Sequence, residues 1–428
     1  VAPLIALLVA ALANTGAAAP HALAAKAPKP TPTATPTTSP TPTPTPGGCA
    51  SSFVLASHPD TGGPFLDQFL GVAAVSASDV WVVGADDAST PPGQLAPLHT
   101  TLIEHWNGAA WSIVPSPNSA SGGYLAGIAA LSSTDVWAVG STDNASLGQT
   151  LIEHWDGASW SLVPSPSPSG ATNSYLAGVA GDAANDVWAV GFANYPGSTP
   201  GVTVPQTLIE HWNGTAWSLV PSPTFSTTLD DQLTAVTAIS GNDAWAVGET
   251  QTLPYYQNGT LILHWDGTSW TIDSSFSTGG GLFGISATSA SDLWAVGGGF
   301  PQYSPLVVHR NGTGWSAVPS PGIQNDTDVL NGVDALATNN VWAAGYDLKV
   351  TQASDGGDVY NYAPFVEHWT GTAWSIVPSA DPVAFDGTNG STAILSGIGG
   401  ADAADVWSAG GWSAVGGPHA LIERDVCQ

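Results

Sequence analysis

The stretch Leu125–Gly140, LAGIAALSSTDVWAVG, followed after a short variable segment by Thr150–Pro166, TLIEHWDGASWSLVPSP, decides the reading of this chain because the whole phrase keeps returning. The Trp of D-V-W-A-V-G recurs at Trp81, Trp137, Trp188, Trp245, Trp294, Trp342 and Trp407, a mean period of roughly 54 residues. The Trp of E-H-W recurs at Trp106, Trp155, Trp212, Trp265 and Trp369, and the Trp of the following G-x-x-W at Trp111, Trp160, Trp217, Trp270, Trp315 and Trp374. Only Trp412 of the 19 tryptophans stands outside the pattern, so tryptophan here is architecture first.

Each unit holds four short β-branched or aromatic runs divided by turn residues, which predicts four strands. Strand a is the L-x-G-I-A-A phrase, b is V-W-A-V-G, c is T-L-I-E-H-W and d is W-S-I-V-P-S-P. Asn-Gly or Asp-Gly between c and d, as at Asn213-Gly214 and Asp156-Gly157, supplies the positive φ of a tight hairpin. A lone four-stranded unit cannot bury both faces, whereas radial stacking lets neighbours cover one another. The expectation is therefore an all-β, seven-bladed β-propeller of four-stranded antiparallel blades over residues 49–428.

The seventh unit ends after strand c, ALIERDVCQ, and the missing strand lies at the other end of the chain. Phe53–Asp60 aligns position by position with Trp111–Asn118, so the N-terminal strand is expected to complete blade seven and close the ring. In that register Cys49 and Cys427 fall on the two residues of the Asn-Gly turn, where a disulfide would replace the covalent connection and imply an oxidising compartment. Two free thiols would instead leave the ring held by hydrogen bonds alone.

The order V-W-A-V-G, then E-H-W-N-G-T-A-W-S-I-V-P, resembles the kelch repeat, as in propellers like the central domain of galactose oxidase. The similarity runs from Phe53 to Cys427 and implies a kelch-like propeller; that fold hosts both enzymes and binding modules, so it implies no activity. The sequence departs from kelch in carrying one Gly after most b strands and His-Trp in place of Tyr-Asp.

Ahead of the repeats, residues 1–25 read as a signal-peptide-like segment, an apolar run followed by small residues. Residues 26–48 alternate Pro and Thr and read as an extended linker. Five Lys+Arg against 33 Asp+Glu give a net charge of −28, which leaves no basic surface for nucleic acid or anionic lipid. After the leader no apolar segment is long enough to span a bilayer, so nothing else is expected to anchor the mature chain in one; the expectation is a monomer, secreted or held at the cell surface or wall.

Six His share one strand position (His105, His154, His211, His264, His309 and His368), with Arg424 in the seventh. Rotation places equivalent positions of different blades far apart, so a hydrogen-bonding role is expected and no metal or other cofactor is. The preceding Glu104, Glu153, Glu210, Glu367 and Glu423 are read the same way. Asp79, Asp135, Asp186, Asp243, Asp292 and Asp405 are expected to bond turn backbone. Catalytic residues remain unassigned: only Arg310 and Arg424 lie among the repeats as arginines, too few for a sialidase-like carboxylate clamp, and both Cys are better used as the clasp than in a galactose-oxidase-like copper site.

Function is expected where the units differ, in the b–c and d–a connections, which emerge on one face. Tyr195, Tyr255, Tyr256, Tyr303, Tyr346, Tyr360, Tyr362 and Trp412 fall in or beside them and are the candidate ligand-binding residues. Exposed aromatics among acidic and amide neighbours suit sugar stacking or a protein partner. The reading is a binding or adhesion module for a glycan or an extracellular protein; the alternative is a glycan-active hydrolase or lyase acting at the channel mouth on that face.

Overall fold

The computed structural model describes residues 51–59, 67–87, 99–142, 148–198, 202–223, 230–252, 257–299, 304–312, 314–323, 326–352, 358–382, 392–402, 405–414 and 417–427. Segments 1–25 and 26–48, together with Cys49, Tyr255, Tyr256 and Tyr303, lie outside them. Every repeat folds as its pattern predicts. In unit two, strands a (Tyr124–Ser132), b (Asp135–Ser141), c (Thr150–Trp155) and d (Trp160–Leu162) form an antiparallel sheet in sequence order. Gly157 closes the c–d hairpin at φ 93°, and Asp156 Oδ1 accepts the Ala158 and Ser159 amides at 2.9 Å each.

Two glycine positions show why the repeat is written as it is. The Gly that ends V-W-A-V-G faces strand a so closely that a Cβ on Gly140 would lie 1.9 Å from the Tyr124 carbonyl oxygen. The Gly at the bulge of strand a is where neighbouring units meet: a Cβ on Gly127 would sit 3.0 Å from Gly178 Cα, and one on Gly332 3.0 Å from Gly397 Cα. The innermost strands thus touch backbone to backbone, and side chains there would force them apart.

The Trp of strand b fills the space between sheets. Trp137 is 2% exposed and contacts Trp212 and Trp217 of the next unit at 5.0 and 5.4 Å between ring centroids. Trp188 meets Trp265 and Trp270, and Trp294 meets Trp369 and Trp374, in the same way. Trp407 of the last unit meets Trp106 and Trp111 of the first at 5.2 Å each. Aromatic pairs at these offset and edge-on geometries add about 0.5–1.5 kcal/mol each to the area they bury.

The N-terminal strand Ser51–Leu55 pairs antiparallel with Gly417–Cys427, placing Phe53 opposite Asp425 as Trp111 lies opposite Trp106 in unit one. Phe53 also takes the role of the missing strand-d Trp, packing edge-on against Trp342 at 5.7 Å. The count of sheets differs from the expected seven. Among the described residues there are six, five of four strands and one of eight, because a single parallel bridge, Tyr362 to Thr392, joins the sheets of units six and seven. That bridge forms because the b–c hairpin of unit six is the longest in the molecule among the described strands, Asn340–Gln352 against Asp358–Trp369, and reaches the first residue of the next strand a.

Gly332→Val tests the backbone contact between inner strands: thermal denaturation should show a loss of about 1–3 kcal/mol, the cost of overpacking a filled site. A melting temperature equal to the parent's would mean that the inner strands do not set the spacing of the sheets.

Candidate functional site

The repeated polar residues form scaffold, and they do so differently from the turn-bonding role expected for the Asp. Asp79 Oδ1 accepts from His105 Nε2 at 2.8 Å and from Trp81 Nε1 at 2.9 Å, and the His ring stacks on that Trp at 4.1 Å between centroids. The pairing recurs as His154–Asp135, His211–Asp186, His264–Asp243 and His309–Asp292 at 2.6–3.0 Å. In unit six Asn340 replaces the Asp, and desolvation without a facing carboxylate pushes His368 down to about 4. Arg424 takes the His place in unit seven, bonding Asp405 at 2.8 Å with its guanidinium 4.7 Å from the centre of the Trp407 ring.

The strand-c glutamates join one unit to the next, a connection not legible in the repeat phrase. All five are fully buried, and four accept from the Ser that follows the strand-d Pro of the preceding unit: Ser116 to Glu153 at 2.6 Å, Ser165 to Glu210 at 2.9 Å, Ser320 to Glu367 at 2.8 Å and Ser379 to Glu423 at 2.6 Å. His58 stands at the aligned position of the N-terminal strand and lies 3.4 Å from Glu104. Burial, only partly opposed by the Ser hydroxyls, pushes Glu153, Glu367 and Glu423 up to about 7 and Glu210 up to about 8. Among the described residues no group of three or more His, Cys, Asp or Glu could hold a metal ion.

The candidate aromatics divide into two places. Tyr346, Tyr360 and Tyr362 all stand on the long hairpin of unit six, with Tyr346 and Tyr362 tilted against each other at 5.4 Å. Through Thr392, which bridges Tyr362 and pairs with Ser413, this group adjoins Trp412, half-buried and stacked on His419 at 4.5 Å. Tyr195 remains apart, opposite Val204 near the tip of the unit-three hairpin. Farther out on the unit-six hairpin, Val350 and Tyr360 face each other across the strands and are 50% and 44% exposed, an apolar pair offered to solvent.

On the opposite flank of the same hairpin lies a feature that the repeat pattern did not single out. The second residue of strand a of unit six (Thr327–Ala337) is Asp328, 1% exposed and directly opposite Asp347 of strand b, itself 9% exposed. In unit four the corresponding partner of Asp231 is Thr250, whose hydroxyl donates to the carboxylate at 2.5 Å. Asp347 stands where that donor would be. Asp328 Oδ2 accepts the Ile323 amide at 2.5 Å, and the buried carboxyls of Asp328 and Asp347 hydrogen-bond to each other, which requires a proton shared between them. Burial first, then the neighbouring Asp328 and Asp326 carboxylates, push Asp347 up to about 7, with Lys349 opposing.

Asp328 and Asp326 also line a cavity of about 690 Å³ between the outer strands of unit five and the inner strand of unit six. Its walls include Pro305, Leu306, Val318 and Pro319, and it opens beside the d–a connection, on the face that carries the variable loops. The signal that could have revealed it is the Asp two residues before the strand-a Leu, combined with an Asp two residues after the strand-b Gly.

Fold and site together define an all-β, propeller-like repeat protein of four-stranded antiparallel sheets with its irregular features on one face. No model of a known protein family matches the chain, and no curated protein matches it. Among solved structures it is similar to YCF48 bound to a peptide, with 12% identity, a TM-score of 0.48 and coverage of 88% of this chain and 99% of that one. A protein of unknown function from Dyadobacter fermentans gives 10% identity, a TM-score of 0.49 and coverage of 90% and 100%. The sialidase of Trypanosoma rangeli gives 12% identity, a TM-score of 0.39 and coverage of 89% and 60%.

The buried glutamates make stability depend on pH in a definite sense. Their folded pKa values lie above the ordinary 4.5, so the folded state holds protons that the unfolded chain has released, and the stability they bring is full below about 4.5 and is lost as pH rises through 7 to 8. The melting temperature should therefore fall between about pH 5 and pH 8, and Glu210→Gln should raise it at the upper pH while leaving it nearly unchanged at the lower. A variant with the parent's slope would show that Glu210 is ionised in the fold.

Proposed function

We propose that the chain is a secreted or cell-surface binding module that takes a carbohydrate or an extracellular protein through its variable loop face. The observation that carries this reading is the unit-six hairpin, which runs two residue pairs beyond that of unit three, the next longest among the described strands, and presents Val350 and Tyr360 to solvent. Natural interfaces place such aromatic and aliphatic anchors at their centre. In this reading the domain is a closed, kelch-like ring of seven blades, with units six and seven as separate blades linked at their loop-side edge. The contacts of Trp407 with Trp106 and Trp111 and the pairing of the N-terminal with the C-terminal strand support that closure. A Cys49–Cys427 disulfide would secure it, and Ser51 opposite Cys427 brings the two ends together. The segment 1–25 would serve export and 26–48 would act as a spacer.

A second reading, a glycan-active hydrolase or lyase, is favoured by the facing carboxyls of Asp328 and Asp347 beside a cavity, an arrangement from which one carboxylic acid and one carboxylate can act together.

Two measurements test the proposal. Binding of the whole chain to glycan arrays and to a panel of extracellular proteins should yield retention that falls about tenfold or more in the Val350→Ser, Tyr360→Ala double variant with unchanged circular dichroism. Full retention in that variant would remove the hairpin from the site, and new products in the array eluates would favour the enzyme. For the clasp, thiol alkylation without reductant should leave Cys49 and Cys427 unmodified in secreted protein; two alkylated thiols would rule it out.

A further inference from the structure

We propose that the joint between the last unit and the first is a proton-held latch, made by His58 just beyond the N-terminal strand. It holds only while the imidazole and Glu104 share a proton, so the strand is firm at acid to neutral pH and loosens as the medium turns alkaline. This inference goes beyond the binding reading and depends on no ligand.

The other glutamate joints are made by hydroxyls. Ser116, Ser165, Ser320 and Ser379 donate to the carboxyl of the following unit, and Thr101 and Thr150 add a second hydroxyl beside Ser116 and Ser165, at 2.6 and 2.7 Å. A hydroxyl serves either state of the acid, since it can donate to a carboxylate or to the carbonyl oxygen of the protonated form. At the closing joint both hydroxyls are gone: His58 aligns with Ser116, and Ala420 with Thr101. His58 carries the contact, with Nδ1 3.4 Å from Glu104 Oε1 and Nε2 3.3 Å from the Ala420 carbonyl oxygen. Its ring also meets Phe69 edge-on at 5.7 Å, so one side chain touches strand c of the last unit and strands a and c of the first.

Both ring nitrogens thus face oxygens. A neutral imidazole has one N–H and cannot satisfy both beside a carboxylate. An imidazolium can, and so can a neutral ring that donates from Nε2 while a protonated Glu104 donates to Nδ1. Either arrangement holds one proton more than neutral imidazole beside carboxylate. Without that proton a carboxylate 1% exposed faces a ring 13% exposed with one hydrogen bond missing, which is a costly state.

Burial and charge act in the same sense. Burial lowers His58, but Glu104 and the Ala420 and Pro59 carbonyls outweigh it and raise His58 above its ordinary 6.5; burial raises Glu104 against the opposing pull of His58. Both folded values exceed the unfolded ones, so the hold is complete at low pH and is lost as pH rises beyond 6.5. Other ionisable groups on the packed strands have partners of their own. On strand c of the last unit His419 stacks on Trp412, Glu423 accepts from Ser379, Arg424 bonds Asp405 and Asp425 bonds Ser51. On unit one His105 is held by Asp79, His99 lies 3.7 Å from Asp87 and Asp67 faces Asp86.

The test is hydrogen exchange of the whole chain, followed at single amides. The Ala56 amide, bonded to the Ile422 carbonyl, is the counterpart of the Val163 amide, bonded to that of Ile152, which serves as the internal reference. From pH 6 to pH 8.5 the protection of Ala56 relative to Val163 should fall about tenfold or more. His58→Ser, which supplies the residue of the other joints, and Glu104→Gln, which removes the ionisable partner, should each keep that ratio constant within about twofold. The imidazole titration of His58, followed by NMR in the parent protein, should have its midpoint above 6.5, a readout that stands even where a variant does not fold. A constant ratio in the parent, the parent's fall in either variant, or a His58 midpoint at or below 6.5 would each overturn the proposal.

Discussion

Each strand-b Trp is a wedge between its own sheet and the next, and the stacking of the units follows from it. One face of Trp137 rests on His154 of its own unit, while its edge and far side meet Trp212 and Trp217 of the neighbour. Because His154 is held by Asp135, the orientation of the wedge is set within the unit, and only then offered across the gap. The buried Glu accepting a Ser from the preceding unit adds a polar lock to this apolar joint. The joints are similar from unit to unit, so the scaffold leaves its loops free to diverge without altering the sheets that carry them.

Where the repeat is broken, the break is informative. Arg424 replaces His and keeps the ring contact with Trp407 as a cation over its face; Phe53 replaces Trp and keeps the edge contact with Trp342. Such substitutions preserve the joint. The replacement of a Thr hydroxyl by Asp347 opposite a buried Asp changes the joint, since the two carboxyls must share a proton to hydrogen-bond. The same facing pair of aspartates recurs in unit one as Asp67 and Asp86, so it is a variation of the repeat rather than a single departure from it.

The sequence reading went furthest where physics repeats. The period, the four strands per unit, the hairpin glycines and the register of Phe53 against Asp425 followed from spacing, because each is a local consequence of alternation and turn chemistry. The structural role of the repeated His followed from the distance between blades, but its partner did not. Asp79 looked like a turn residue and is in fact the acceptor for His105, a contact between residues 26 positions apart.

Spacing along the chain thus settles the sheet repeat and the identity of the residues that vary. Which of those residues come together was decided only in three dimensions. Tyr346, Tyr362 and Trp412 gather at the junction of units six and seven because a hairpin long enough to reach Thr392 bridges the gap, whereas Tyr195, equally prominent in the sequence, stays on unit three. Asp326, Asp328 and Asp347 meet beside a cavity because strand pairing places the start of strand a against the end of strand b. A repeat fixes local geometry through contacts within a few residues of one another, while the site arises from pairings whose register and reach depend on the whole sheet.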